Sequence, residues 1–284
     1  MDKIAAFIDG SAYGESVCDH AAWIAGATGA AVDLVHVLGR REAASTPADL
    51  SGNLRLGARS ALLEELARHD EARARLARAR GHAILEDART RLAAAGVTAG
   101  QEVLRSGDIV ETVTEIAGAS GLVVIGKRGE GADFAKGHLG SNLERILREA
   151  TRPVLVASRA FSQVRSVLIA HDGGASAEKA VAFLAANAPF ARLACHLLSA
   201  GRETPELRAR LDAAAARLSA AGAAVTAEIR EGEPEQLIAE TVASRDIGLL
   251  AMGAYGHSRI RSLIIGSTTT EMVRSCKVPV ILFR

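Results

Sequence analysis

At 284 residues the chain exceeds what one hydrophobic core commonly organises, so two domains are the starting expectation. Hydrophobic residues make up 49% and charged residues 24%, which excludes intrinsic disorder, and a formal net charge of +1 removes any global electrostatic drive toward nucleic acid. Cys18, Cys195 and Cys276 lie far apart without metal-ligand spacing, which argues against a disulfide framework or a zinc site and suits a reducing compartment.

Met1, Asp2 and Lys3 lead into a short apolar run at residues 4–8. It is too short for a signal-peptide core or a membrane span, so a cytoplasmic protein without membrane contact is expected. The run reads as a first strand ending in Asp9-Gly10, followed by an alanine-rich helix with Tyr13 and Trp23 as packing residues. Residues 32–38 form the second strand. Across 42–92, Leu62, Leu66, Leu76, Ile84, Leu85 and Leu92 recur at near-helical spacing with charged residues between them. This predicts a long helix or helical hairpin, serving either as scaffold or as a partner-binding surface. Gly81 is expected to break or bend it and Gly96 to cap its end. Arg73, Arg75, Arg78 and Arg80 read as a solvated helix face. Strands at 101–104, 122–125 and 153–157 complete the first half.

The second half has strand candidates at 167–170, 194–198, 224–229, 249–252 and 279–283. Thr204 before Pro205 is a good N-cap with proline at the first helical position, and Gly222 a good end for that helix. The two halves repeat one plan. An apolar strand ends in Asp9-Gly10 in one and in Asp172-Gly173 in the other, and Leu122 to Gly129 is matched by Leu249 to Gly256. Gly140-Ser141 is matched by Gly266-Ser267, and each half closes on a proline-led strand. Three blocks in the same order indicate a duplication, with residues 1–160 and 161–284 as the domains and a helical insertion over about 42–95 in the first. Strands alternating with helices predict an α/β fold: two tandem doubly wound parallel five-stranded sheets, each with helices on both faces. The proline-led closing strands belong at sheet edges, and pairing them across a pseudo-twofold would join the halves as an intrachain pseudo-dimer. Further homodimerisation is left open.

Ligand belongs at the carboxyl ends of such strands. There Gly253-Ala254-Tyr255-Gly256 follows an apolar strand, and Gly266-Ser267-Thr268-Thr269 opens the last helix. Glycines let backbone approach a ligand, while a helix N-terminus offers free N–H groups and a favourable dipole, so the pair describes a phosphate cradle. Asp172 supplies a carboxylate at the same edge, either as acceptor for a ribose hydroxyl or adenine amino group or as a helix N-cap.

With Gly, two residues, Gly, nine residues, then Gly-Ser, the chain resembles the universal stress protein family. The resemblance covers nearly everything outside the helical insertion. It implies a Rossmann-like fold of the adenine nucleotide alpha hydrolase type and a bound ATP, or AMP or ADP, with Mg²⁺ left open. Carried over, the ATP contacts fall on Asp172, Leu197, Met252, Gly253, Tyr255, Gly256, Gly266, Ser267, Thr268 and Thr269. Leu197 and Met252 would flank the base, with the Gly-Ser-Thr residues on the phosphates.

The first half departs from this pattern: ten residues separate Gly129 from Gly140, Glu130 and Asp133 intervene, and Asn142 replaces the counterpart of Thr268. Asp9 and Val37 still match the strand ends. Lys127, Arg128, Lys136 and His138 could offset the acids, so this half is either a structural copy or a site for a nucleotide or another anion. His138, His196 and His257 lack an acid or cysteine at ligand spacing, and Ser158, Ser166 and Ser176 lack a nucleophile elbow. The leading reading is a nucleotide-dependent stress-response regulator with at most slow ATP hydrolysis, acting on other proteins and not on nucleic acid. The alternatives are a nucleotide-free scaffold, or an adenylyl or phosphoryl transfer enzyme using Tyr255, His257 and Arg259.

Overall fold

A computed structural model describes residues 1–39, 56–129, 141–254 and 266–284. The first half runs β1 (Lys3–Phe7), α1 (Gly14–Thr28), β2 (Ala31–Gly39), α2 (Leu56–Ala94), β3 (Ala99–Gly107), α3 (Ile109–Ala117), β4 (Leu122–Gly126), α4 (Ser141–Glu149) and β5 (Val154–Ala157). The second runs β6 (Ser166–Ala170), α5 (Ala175–Ala186), α6 (Ala188–Ala191), β7 (Ala194–Ala200), α7 (Pro205–Ala220), β8 (Ala224–Arg230), α8 (Pro234–Ser244), β9 (Leu249–Gly253), α9 (Ser267–Ser275) and β10 (Val280–Phe283).

The inner strands β1, β4, β5, β6, β9 and β10 are short apolar runs buried on both faces, as parallel strands under helices must be, whereas the outermost strands β3 and β8 are polar and partly exposed. Along β1, Ile4 and Ala6 enter one helix-covered core while Ala5 and Phe7 enter the other. The sheet order is β3-β2-β1-β4-β5-β10-β9-β6-β7-β8. Each half therefore places its first strand between its second and fourth, and the chain reverses direction of travel at that point. The two expected parallel sheets are present, and they merge edge to edge. β5 and β10 pair antiparallel, with Val280 opposite Val156, Ile281 opposite Leu155 and Leu282 opposite Val154. The apolar edges anticipated from the prolines thus cover one another. The sparse aromatic residues gather at this junction, where Trp23 of α1 meets Phe190 of α6 edge-on at 5.6 Å and Phe183 meets Phe283 at 5.4 Å.

Fine details repeat across the halves. Arg105 of β3 pairs with Glu115 of α3, and Arg230 of β8 pairs with Glu240 of α8, ten residues apart in each case. Gly107 and Gly232 follow with φ of 147° and 146°, a backbone that side-chain-bearing residues avoid.

The helical insertion departs from expectation at Gly81. α2 runs unbroken for 39 residues. A Cβ at Gly81 would lie 2.6 Å from Leu104 Cδ1 and 3.0 Å from His36 Cδ2, so this glycine lets the helix approach β2 and β3 and does not bend it. Gly96 caps the end as read: its φ is +76°, and the Val97 N–H reaches the Leu92 carbonyl at 2.9 Å. Thr204 caps α7, accepting from the Leu207 N–H at 3.2 Å. The part of the insertion before residue 56 lies outside the described residues. Among the described residues no helix is long and apolar enough to cross a membrane, and no cluster of three or more His, Cys, Asp and Glu is arranged to hold a metal ion.

Candidate functional site

β6 and β9 carry the chain to the same sheet edge, and a cleft opens there between the first turns of α8 and α9. Its floor is apolar: Leu198 from β7, Ile238 from α8 and Met252 from β9. Ala170 and Ala200 line it at the strand ends.

Asp172 stands at the rim, exposed, with Oδ1 accepting from the Gly174 N–H at 2.9 Å. The N-cap of α5 is Gly174, so the carboxylate organises the turn leading into the helix without being the cap residue. Gly173 between them has φ +74°, a conformation that favours glycine. Beneath Asp172, the His171 ring is wholly buried, with Nε2 3.0 Å from Glu178 Oε1. Its Nδ1 accepts from the Gly173 N–H at 3.3 Å, which places the ring proton on Nε2. His171 thus fixes the turn that presents Asp172. No motif flagged it in the sequence.

The opposite wall is the start of α9. Thr269 Oγ1 donates to the Gly253 carbonyl at 3.1 Å, and the Gly266 N–H reaches the Ala254 carbonyl at 3.3 Å, so the helix is anchored to the end of β9. The first intrahelical bond runs from the Thr270 N–H to the Gly266 carbonyl at 2.9 Å. Among the described residues, no acceptor meets the N–H groups of Ser267, Thr268 and Thr269. A helix start leaves such donors unmet unless a cap or ligand takes them, and Gly266 has no side chain to cap with. Gly266 has an ordinary negative φ of −58°, and a Cβ there would meet only Thr269 Oγ1 at 3.6 Å. Among the described residues nothing crowds Gly266, a position where the missing side chain would also let a bound group approach closely.

One acidic group was missed. Glu235, in the first turn of α8, accepts a hydrogen bond from Thr268 Oγ1 at 2.7 Å. It lies 33 residues from Thr268 in the chain and belongs to no local motif, so only folding reveals it.

The cleft gathers Asp172, Met252, Gly253, Gly266, Ser267, Thr268 and Thr269. It does not include Leu197. Successive strand residues face opposite sides, and Leu197, 1% exposed, packs into the core on the other face of the sheet with Leu184 and Leu211. Leu198 and Ala200 point to the cleft instead. Register identifies the counterpart of Val37: Val37 pairs with Arg105 and Ala200 pairs with Arg230, the equivalent arginine. Ala200, not Leu197, is therefore the strand-end match. Tyr255, Gly256, His257 and Arg259 lie outside the described residues.

The corresponding place in the first half is packed differently. Tyr13 is 8% exposed and lies so near Gly126 that a Cβ there would come within 2.8 Å of the Tyr13 Cβ. The Ser11 N–H donates to Asp9 Oδ1 at 3.1 Å, and Ser11 Oγ donates to the Arg128 carbonyl at 3.4 Å. The Ser11–Asp9 bond repeats the Gly174–Asp172 bond of the second half, and Tyr13 and the Ser11–Arg128 contact are particular to the first. Lys127 turns away to the second half, donating to the Cys276 carbonyl at the end of α9 at 3.2 Å, and burial lowers its pKa below the usual lysine value. Glu130, Asp133, Lys136, His138 and Gly140 lie outside the described residues. His196 sits away from the cleft, 2.7 Å from Thr226 Oγ1, its pKa lowered by desolvation and then by Arg245.

A doubled parallel α/β sheet with an open glycine-bordered cleft at its switch point defines a protein of the Rossmann-like class. The model of the universal stress protein family matches residues 1–158 and 191–284. A universal stress protein of Synechocystis sp. is 35% identical over 287 residues, covering 100% of both chains. The crystal structure of a universal stress protein from Archaeoglobus fulgidus superposes with a TM-score of 0.75 at 19% identity, covering 99% of this chain and 98% of that one. A universal stress protein structure from Pseudomonas aeruginosa gives a TM-score of 0.62 at 17% identity over 100% and 93% of the two chains. The chain belongs to the universal stress protein family, as a tandem member.

Proposed function

We propose that the second half binds an adenine nucleotide, ATP in the first instance, and that occupancy biases a surface read by other proteins. The observation carrying this reading is the row of N–H groups on Ser267, Thr268 and Thr269 that meet no acceptor among the described residues, beside the uncrowded Gly266. Such a row suits phosphate oxygens, and the helix dipole adds to it. The apolar floor of Leu198, Ile238 and Met252 suits a flat base, with Ala200 leaving room at the strand end and Asp172 within the same rim for a ribose hydroxyl. Glu235 puts negative charge beside the phosphate end, which favours a nucleotide carried with Mg²⁺ to offset it. Residues 1–160 and 161–284 are the two units of this reading, the first taken as a structural copy, with Tyr13 against Gly126 and Ser11 bonded to the Arg128 carbonyl at the corresponding turn.

Isothermal calorimetry with ATP and Mg²⁺ tests it on the wild type and on Gly266→Val with Ser267→Ala. Binding by the wild type and loss in the double variant supports the site. Equal binding by both removes it.

A further inference from the structure

The two halves differ at one buried position behind the aspartate of the strand end. Ile8 and His171 hold equivalent places there. The Ile8 N–H donates to the Val35 carbonyl at 2.9 Å and the His171 N–H to the Leu198 carbonyl at 2.8 Å, and each residue directly precedes its aspartate. Ile8 fills the place with an apolar side chain. His171 puts a ring with two polar atoms there, and both are used: Nε2 donates to Glu178 Oε1 at 3.0 Å, and Nδ1 accepts from the Gly173 N–H at 3.3 Å. The His171 carbonyl accepts from Ser199 Oγ as well, so the residue is held at every polar atom.

The bond from Gly173 exists only while Nδ1 carries no proton. Histidine is the side chain whose ordinary titration falls close to neutral pH. A buried ring takes up a second proton only beside a counter-charge, and the half-exposed carboxylate of Glu178 supplies one. The charged groups around the ring, among the described residues, are Glu178 and Lys179 from α5, Asp172 in the turn and Arg210 from α7. Lys179 is turned to the Arg284 carbonyl at 2.7 Å, and Arg210 donates to the Gly173 carbonyl at 3.3 Å. A proton on Nδ1 would set two donors, the ring N–H and the Gly173 N–H, against each other where the ring is sealed from solvent. The turn must then rearrange, and Asp172 with it.

We propose that His171 is a positioning residue that makes ligand binding in the cleft depend on pH: neutral, it holds the turn that presents Asp172, and protonated, it releases that turn so that nucleotide affinity falls. The inference rests on the nucleotide reading of the cleft given above.

Calorimetry with ATP at constant Mg²⁺, at about pH 8 and about pH 6, tests it on the wild type, His171→Asn and His171→Ile. Asparagine offers an acceptor oxygen near the place of Nδ1 and does not titrate, while isoleucine reproduces the first half and offers none. The terminal phosphate of ATP and Glu235 titrate in all three proteins and cancel in the ratio of affinities. Between the two pH values the wild type should lose at least about fivefold in affinity relative to His171→Asn. At the higher pH His171→Asn should bind within about threefold of the wild type and His171→Ile about tenfold more weakly. In the ligand-free wild type the amide proton resonance of Gly173 should move upfield as pH falls, because it loses its acceptor. That readout needs neither ATP nor a variant. Identical pH profiles in the wild type and His171→Asn, or a Gly173 amide that does not titrate, would overturn the inference and leave the nucleotide site standing. No ATP binding by the wild type at the higher pH would instead overturn the nucleotide reading, and the linkage with it.

Discussion

Thr268 Oγ1 donates to Glu235 Oε1 at 2.7 Å, tying the first turn of α9 to the first turn of α8 across the mouth of the cleft. The hydroxyl that a phosphate would want is thus already engaged by a carboxylate. Glu235→Gln keeps an acceptor for Thr268 and removes the charge. ATP affinity measured without Mg²⁺ should rise by about fivefold, roughly 1 kcal/mol, and the benefit of adding Mg²⁺ should shrink. An unchanged Mg²⁺ dependence would mean that Glu235 does not sense the phosphates.

Ala200 and Leu197 separate cleft from core. Ala200→Phe should fill the strand-end side of the cleft and lower nucleotide affinity at least tenfold while leaving the melting temperature near that of the wild type. Leu197→Ala should do the opposite, costing about 2–5 kcal/mol in urea denaturation with binding retained by the folded fraction. If Leu197→Ala abolished binding without loss of stability, the strand facing would be wrong.

His20 gives the molecule a pH-dependent weakness. It is fully buried, Nδ1 lies 2.6 Å from the Ser16 carbonyl, and Nε2 has no partner among the described residues. Desolvation lowers its pKa below the ordinary value of 6.5, against smaller opposing effects of the Ser16 hydrogen bond and Asp19. The unfolded chain therefore takes up a proton below 6.5 that the folded state refuses, so stability falls as pH drops through that value. One such group contributes at most about 1.4 kcal/mol per pH unit. His20→Leu should flatten the pH dependence of the unfolding free energy between neutral pH and the lowered folded pKa. An identical slope in the variant would assign the weakness elsewhere.

The joint between β5 and β10 should be indispensable. Truncation after Val278 removes the strand that bridges β5 and β9 and exposes two apolar edges. The truncated chain should aggregate or unfold at a much lower temperature. A subtler form is Ile281→Asp, which buries a charge at a position of 0% exposure and should cost about 3 kcal/mol or more. A truncated protein as stable as the full chain would show that the halves do not depend on the joint.

Much of this was legible along the chain. The strands, the Thr204 and Gly96 caps and the repeated blocks are written in residue types and short-range spacing. The cleft was legible at its glycines and at Asp172 for the same reason. Leu197 was misplaced because a strand end offers neighbouring candidates pointing opposite ways, and only pairing with Arg230 sets the register that selects Ala200. Gly81 was misread because a glycine looks the same in sequence whether it bends a helix or lets one pass close to a sheet.

The sequence by itself determined the duplication, the order of strands and helices, and the glycine-bordered helix start, because local periodicity and backbone freedom depend on near neighbours. Tertiary structure alone decided that Glu235 meets Thr268, that Tyr13 packs against Gly126, and that α2 passes close to β2 and β3 at Gly81. Those are matters of which distant surfaces come together, set by packing and register across the whole sheet.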